Sequence, residues 1–184
     1  AATLRVASPP VVIDVEAEAR SAERVVEVQE VSRTYSLGKQ TVTALQDVSL
    51  TVFQGEFLAL AGPSGSGKST LLNMIGCIDS PSSGSIRIQD QDISHKSADE
   101  LADLRLNTLG FVFQTFNLLP VLSAWENIEY PLLQKKDMDK QKRREWVEHS
   151  LQAVGLDRFG GHRPNELSGG QRQRVAIARA LATR

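Results

Sequence analysis

Gly62-Pro63-Ser64-Gly65-Ser66-Gly67-Lys68-Ser69-Thr70 is the stretch on which the reading of this chain turns. Glycines at 62, 65 and 67 let a backbone bend until its N–H groups face inward, around a small concave space. Just upstream, Phe57-Leu58-Ala59-Leu60-Ala61 is a short unbroken apolar run, the pattern of a strand buried on both faces of a parallel sheet. Just downstream, 68–77 places Leu71, Leu72, Met74 and Ile75 on a helical repeat. Strand, glycine loop and helix in that order form the setting a phosphate-binding loop requires. The start of the helix adds its positive end to the inward N–H groups. Lys68 is then placed to bridge β- and γ-phosphates, the Ser69 hydroxyl to ligate Mg²⁺, and Thr70 to lie near the α-phosphate. The bland alternative is a glycine-rich turn joining strand to helix, and the filled motif within its proper flanks argues against it. Whether the ligand is ATP or GTP is not set by this loop.

Outward from the loop, the chain divides by composition. Residues 1–24 are rich in Ala, Glu and Arg, contain Pro9-Pro10 and lack periodicity, so they are expected to form a flexible extension with a short helix near 16–22. Val25, Val26, Val28 and Val31 predict one strand. Leu45, Val48, Leu50 and Val52 predict another over 43–53, closed by Gln54-Gly55. Ile86 and Ile88 suggest a further strand after the turn at 80–84. Ser97, with Glu100 three residues on, caps a helix over 97–106. The run 109–113 (Leu-Gly-Phe-Val-Phe) is a second buried-strand candidate. Beyond Gln114, helical patterns are interrupted by Pro131, Gly160-Gly161 and Pro164. The expected fold is α/β, with β elements and the glycine loop in 25–114 and a helical segment in 115–184.

A second glycine-rich helix start occurs at Leu167-Ser168-Gly169-Gly170-Gln171. Val175, Ile177, Ala178 and Leu181 continue it as a helix. Ser168 caps it, and Gly169 and Gly170 expose backbone N–H groups, so this is another potential anion site. By itself, Ser-Gly-Gly before a helix is more often a plain cap. Gln114 follows a presumed buried strand, at the edge of the sheet where ligands gather.

Taken together and in this order, the two loops resemble the ATP-binding cassette of ABC transporters. The segments 73–79, 111–120 and 127–132 bring the resemblance closest to the lipoprotein-release and macrolide-export branch, and it covers about residues 25–184. The resemblance implies a P-loop NTPase core of the RecA-like kind, with an N-terminal antiparallel β part and an inserted α-helical subdomain. It implies ATP and Mg²⁺ as ligands, with hydrolysis coupled to export or release of a substrate. It makes Tyr35 the residue that stacks on adenine, and Gln114 a contact to Mg²⁺ and the attacking water that also communicates with a membrane partner. Lys68 and Gln114 are thus the catalytic candidates. Ser168, Gly169, Gly170 and Gln171 would close on the γ-phosphate held by the opposite copy, in a head-to-tail dimer. The implied partners are a second cassette and a membrane-spanning permease, at the cytoplasmic face of the inner membrane.

The family continues into an aliphatic strand ending in Asp-Glu, and no such run occurs in these 184 residues. The C-terminal part of the core is therefore expected to be missing, the chain to be a fragment, and its own hydrolysis negligible. A nucleotide-binding regulator without turnover is the alternative, and a soluble cassette of DNA repair or translation a weaker one.

Composition excludes other classes. A net charge of −1 offers no global case for nucleic acid. A lone cysteine, Cys77, cannot form an internal disulfide, which suits a reducing compartment, and is expected to be a small buried residue. No apolar run approaches the roughly 18 residues needed to span a bilayer, and 1–24 lacks the pattern of a signal peptide. His95, His149 and His162 are scattered without ligand spacing, and the basic stretch 135–144 reads as a solvated helix face.

Overall fold

A computed structural model describes residues 11–13, 23–38, 40–135 and 138–182. The chain divides into two compact units, 1–102 and 103–184, each with its own architecture.

In the first unit, strands β2 (Arg24–Leu37) and β3 (Gln40–Phe53) form a long antiparallel hairpin. Strand β5 (Ser83–Ile88) pairs antiparallel on the other side of β2, and β6 (Gln91–Asp92) on β5, giving the order β3-β2-β5-β6. Val28, Val31, Leu45, Ile86 and Ile88 are buried and form the inner face, Val28 and Val31 sharing it at an odd spacing because the ladder is bulged between them. The ladder is not regular: Glu30 and Asp47 take left-handed backbone angles, and the β2–β3 register shifts between Val28 and Val31. Ser49 Oγ accepts the Glu30 N–H and Ser32 Oγ the Asp47 N–H, so the bulge keeps its donors bonded.

Strand β4 is shorter than expected and differently placed. Only Ala59–Ala61 is extended, and its partner among the described residues is β1 (Val11–Ile13), in antiparallel register Val11↔Ala61 to Ile13↔Ala59. Phe57 is 87% exposed, so the run 57–61 is not the doubly buried parallel strand the sequence suggested. Burial on both faces requires a packed layer on each side of the sheet, and Ala59 and Ala61 are exposed, with only Leu60 half-buried. Val11–Ile13 is also strand where an extension was expected. The suggested helix at 16–22 lies outside the described residues.

Helix α1 (Lys68–Ile75) leaves the glycine loop with Leu71 and Met74 buried. It ends two residues before Cys77, which is buried as expected but in a left-handed turn beyond the helix. Helix α2 (Ala98–Thr108) opens as read: the Glu100 carboxylate accepts the N–H of Ser97 at 2.8 Å.

The second unit is built on α3 (Ala124–Leu132), α4 (Lys140–Ala153) and α5 (Gly169–Leu181). Ala124, Ile128, Leu132, Val147, Leu151, Leu156, Leu167, Val175, Ala178 and Ala182 form one core. At about 1.5–3 kcal/mol for each large aliphatic side chain removed from water, this core supplies the unit's main cohesion. Ser123 and Glu126 close α3 in a reciprocal capping box, and Asp139 caps α4 through the Lys142 N–H. The breakers act as anticipated: Pro131 sits in the last turn of α3, and Pro164 opens a short 3₁₀ turn. Within the 135–144 stretch, Lys140 and Lys142 are exposed on α4. Asn127 is buried and ties down the preceding loop: its Oδ1 accepts the Leu119 N–H, and its Nδ2 donates to the carbonyls of Leu119, Leu122 and Ser123.

The run 109–113 is not a strand. It is irregular, with Phe111 and Phe113 rings 4.5 Å apart and Val112 exposed. Apolar composition alone does not make a strand; a pairing neighbour does, and none is present for it among the described residues.

Candidate nucleotide site

The loop between β4 and α1 is shaped by its glycines. Gly67, the residue before α1, has φ 86°, and a side chain there would meet the Ala44 carbonyl oxygen at 2.6 Å. Gly65 has φ 81°, and nothing lies within 4 Å of where its Cβ would be, so that side of the loop is open. The end of α1 has no side-chain cap and no acidic residue in its first turn. Its first N–H groups lack intrahelical acceptors by construction, and nothing in the loop neutralises the helix's positive end. The Lys68 ammonium folds back over the loop and donates to the carbonyls of Gly62 (2.9 Å) and Pro63 (2.7 Å) and to Ser66 Oγ (3.1 Å). Pro63 and Ser64 are exposed on the loop, Ser66 is buried, and Ser69 presents an exposed hydroxyl beside Thr70. A helix start with unspent amide donors and a cation held beside it suits a polyphosphate.

Tyr35 belongs to the same unit, near the end of β2. Its hydroxyl donates to Asp79 Oδ2 at 2.6 Å, and the Arg33 guanidinium lies over its ring, 4.7 Å from the centroid.

In the other unit, Ser168 caps α5. Its Oγ accepts the Gln171 N–H at 3.3 Å, and Gln171 Oε1 accepts the Ser168 N–H at 2.8 Å. Gly169 and Gly170 keep exposed positions in the first turn, which carries no acidic residue. Gln114 is exposed in a turn rather than at a strand end. The turn is tied to α5: Arg179 donates to the carbonyls of Phe116 and Asn117, both at 2.8 Å. Those two residues carry left-handed φ angles of 62° and 45°. Upstream, a Cβ on Gly110 would stand 2.6 Å from the Ala180 carbonyl, so the backbone here lies directly on α5.

A family profile described as "ABC transporter" matches residues 45–184. The chain belongs to the ABC transporter family. It is 47% identical over 160 residues to an uncharacterized ABC transporter ATP-binding protein, MJ0796, of Methanocaldococcus jannaschii, covering 85% of this chain and 68% of that one. It is 49% identical over 160 residues to the macrolide export ATP-binding/permease protein MacB of Burkholderia thailandensis, covering 87% of this chain and 24% of MacB. A solved dimeric structure of the MJ0796 cassette in a post-hydrolysis state, bound to ADP and Pi, superimposes with a TM-score of 0.77 at 46% identity, covering 86% of this chain and 69% of that one. The chain thus spans about two thirds of its single-cassette relatives and about a quarter of the exporters. It is an ATP-binding cassette with the P-loop α/β fold, of the ATPase class that serves ABC transporters, and macrolide exporters are among its relatives.

Three cassette residues escaped the sequence reading. Arg33 and Asp79 contact Tyr35, and Arg179 holds the turn after Gln114. A polar residue within the apolar run of α5 was the available signal for Arg179, and burial lowers its pKa from the ordinary arginine value by disfavouring the charge. His95 and His149 are exposed, and the His162 ring lies 5.3 Å from that of Phe159, tilted by 54°. Among the described residues no group of three or more His, Cys, Asp or Glu could hold a metal, and no helix is long and apolar enough to cross a membrane.

Proposed function

We propose that this cassette is the nucleotide-driven part of an exporter whose permease lies in the membrane, with the cassette bound peripherally at the cytoplasmic face. The observation that carries the reading is the uncapped start of α1, with Lys68 poised over the loop. In this reading, backbone N–H groups of Ser64, Gly65 and Gly67 to Thr70 take the phosphates, Lys68 moves from the loop carbonyls to the β- and γ-phosphate oxygens, and Tyr35 stacks on the adenine. Ser69 would hold a magnesium ion arriving with the nucleotide, which would neutralise part of the phosphate charge; such ions bind through few protein ligands plus phosphate oxygens. Phosphoryl transfer depends mainly on positioning and charge stabilisation, which is what these residues offer.

Ser168, Gly169, Gly170 and Gln171 would meet the γ-phosphate held by a second copy, head to tail. The dimeric state of the MJ0796 cassette structure supports pairing of two copies. The kinship with macrolide export proteins supports export or release as the work coupled to the nucleotide. The test is calorimetric titration with ATP and Mg²⁺ alongside sedimentation with and without nucleotide. ATP is expected to bind and to promote a dimer, and Lys68→Ala is expected to weaken both. Equal ATP binding by the Lys68→Ala variant would sink the reading.

A further inference from the structure

We infer that Asp79, together with Arg33, is a positioning device for Tyr35, fixing the base platform relative to the helix that starts at the phosphate loop. The inference rests on the adenine-stacking reading of Tyr35 and deepens it. Tyr35 and Arg33 are two residues apart on β2, so their side chains leave the strand on one face. A tyrosine at the end of a hairpin would ordinarily swing about its χ angles. Here the Asp79 carboxylate fixes it from outside the sheet. Oδ2 accepts the Tyr35 hydroxyl at 2.6 Å and Arg33 Nε at 3.1 Å, while Oδ1 accepts an Arg33 terminal nitrogen at 2.6 Å and the Ser80 N–H at 2.9 Å. Both oxygens are occupied, and the bidentate pair holds the guanidinium plane in place. That plane covers one face of the ring at 4.7 Å. In this reading the base lies on the opposite face.

Asp79 itself hangs from α1: the N–H groups of Ile78 and Asp79 both donate to the Asn73 carbonyl, at 2.8 and 3.2 Å. Helix α1 begins at Lys68, so one short rigid element joins the phosphate grip to the group that orients the ring. The following turn is laced to β2 as well, with Ser82 donating its N–H to the Ser32 carbonyl and accepting the Thr34 N–H. The sequence separation of 44 residues between Tyr35 and Asp79 makes this a tertiary device rather than a local turn.

The experiment compares two ligands, ATP and inorganic tripolyphosphate, by calorimetry on the full chain and on Tyr35→Ala, Tyr35→Phe and Asp79→Asn variants. Tripolyphosphate has no base, so a platform effect cannot reach it. Removing the ring in Tyr35→Ala is expected to weaken ATP binding about tenfold, within the range of base–aromatic stacking. Tyr35→Phe keeps the ring but frees it, and with Asp79→Asn is expected to weaken ATP about three- to fivefold, with tripolyphosphate affinity unchanged throughout. Should Tyr35→Ala leave ATP binding intact, the stacking reading falls and this inference with it. Should Tyr35→Ala weaken ATP while Tyr35→Phe and Asp79→Asn match the parent, the positioning role alone is overturned. Parallel losses for both ligands in Tyr35→Phe would also overturn it, by moving the effect to the phosphate loop or the fold; this variant decides the matter even if Asp79→Asn misfolds.

Discussion

Helix α1 begins behind Gly67, with no side chain closing its end, while α5 begins behind Ser168, whose hydroxyl and whose partner Gln171 close it reciprocally. Both first turns lack acidic residues, unlike α2 with Asp99 and Glu100 or α3 with Glu126. The two helix starts therefore share a positive end but differ in self-sufficiency. The α5 end has its cap within the chain, which adds to the helix's own stability, and keeps the Gly169 and Gly170 N–H groups exposed. The α1 end spends its capping position on backbone shape, because Gly67 must turn left-handed against Ala44, and leaves its donors for something from outside. A principal grip and a second surface that meets a ligand held elsewhere call for this asymmetry.

The comparison is broken most severely at Gly67. Replacing it with Ala should destabilise the fold by about 2–4 kcal/mol, from left-handed strain and contact with the Ala44 carbonyl, as measured by denaturant unfolding. Next is Lys68→Ala, expected to lower ATP affinity by about 10–100-fold, the value of a charged hydrogen-bonding group on phosphate. Ser168→Ala in the same titration at low protein concentration should leave affinity unchanged; an equal loss would erase the distinction between the two ends. Arg179→Gln should cost about 1.5–2 kcal/mol and speed amide exchange at 116–118, because two carbonyls lose charged donors. Ser168→Ala should cost about 1 kcal/mol of stability, the usual value of a lost cap.

The smallest effect concerns pH. Hydrogen bonds from the Ser123 N–H and hydroxyl hold the Glu126 carboxyl below its ordinary 4.5. A depressed carboxylate adds stability above its unfolded value and loses it as pH falls through the folded one. Melting curves taken downward from about pH 5 should therefore show a decline that is shallower in Glu126→Gln, which keeps an acceptor but does not titrate.

What could be read from the sequence was what is contiguous. The glycine loop, the Ser97–Glu100 and Ser168 caps, and the apolar pattern of Val28, Val31, Ile86 and Ile88 are local patterns, and each has its expected local form. The run 109–113 misled because strand formation depends on a neighbour elsewhere in the chain. The contacts of Arg33 and Tyr35 with Asp79, and of Arg179 with Phe116 and Asn117, span 44 to 63 residues and leave no periodic trace. The two short segments that Asp79 and Arg179 hold, at Tyr35 and after Gln114, are ones the family resemblance marks as functional.

Asn127 carries a mechanical consequence. Its single amide knots the loop 119–123 to the first turns of α3, and that loop displays Val121 with 72% of its surface in solvent. A tug on that protruding residue would not be dissipated by a slack loop. It would travel through one carboxamide into the helix, so the loop behaves as a stiff handle welded to the bundle.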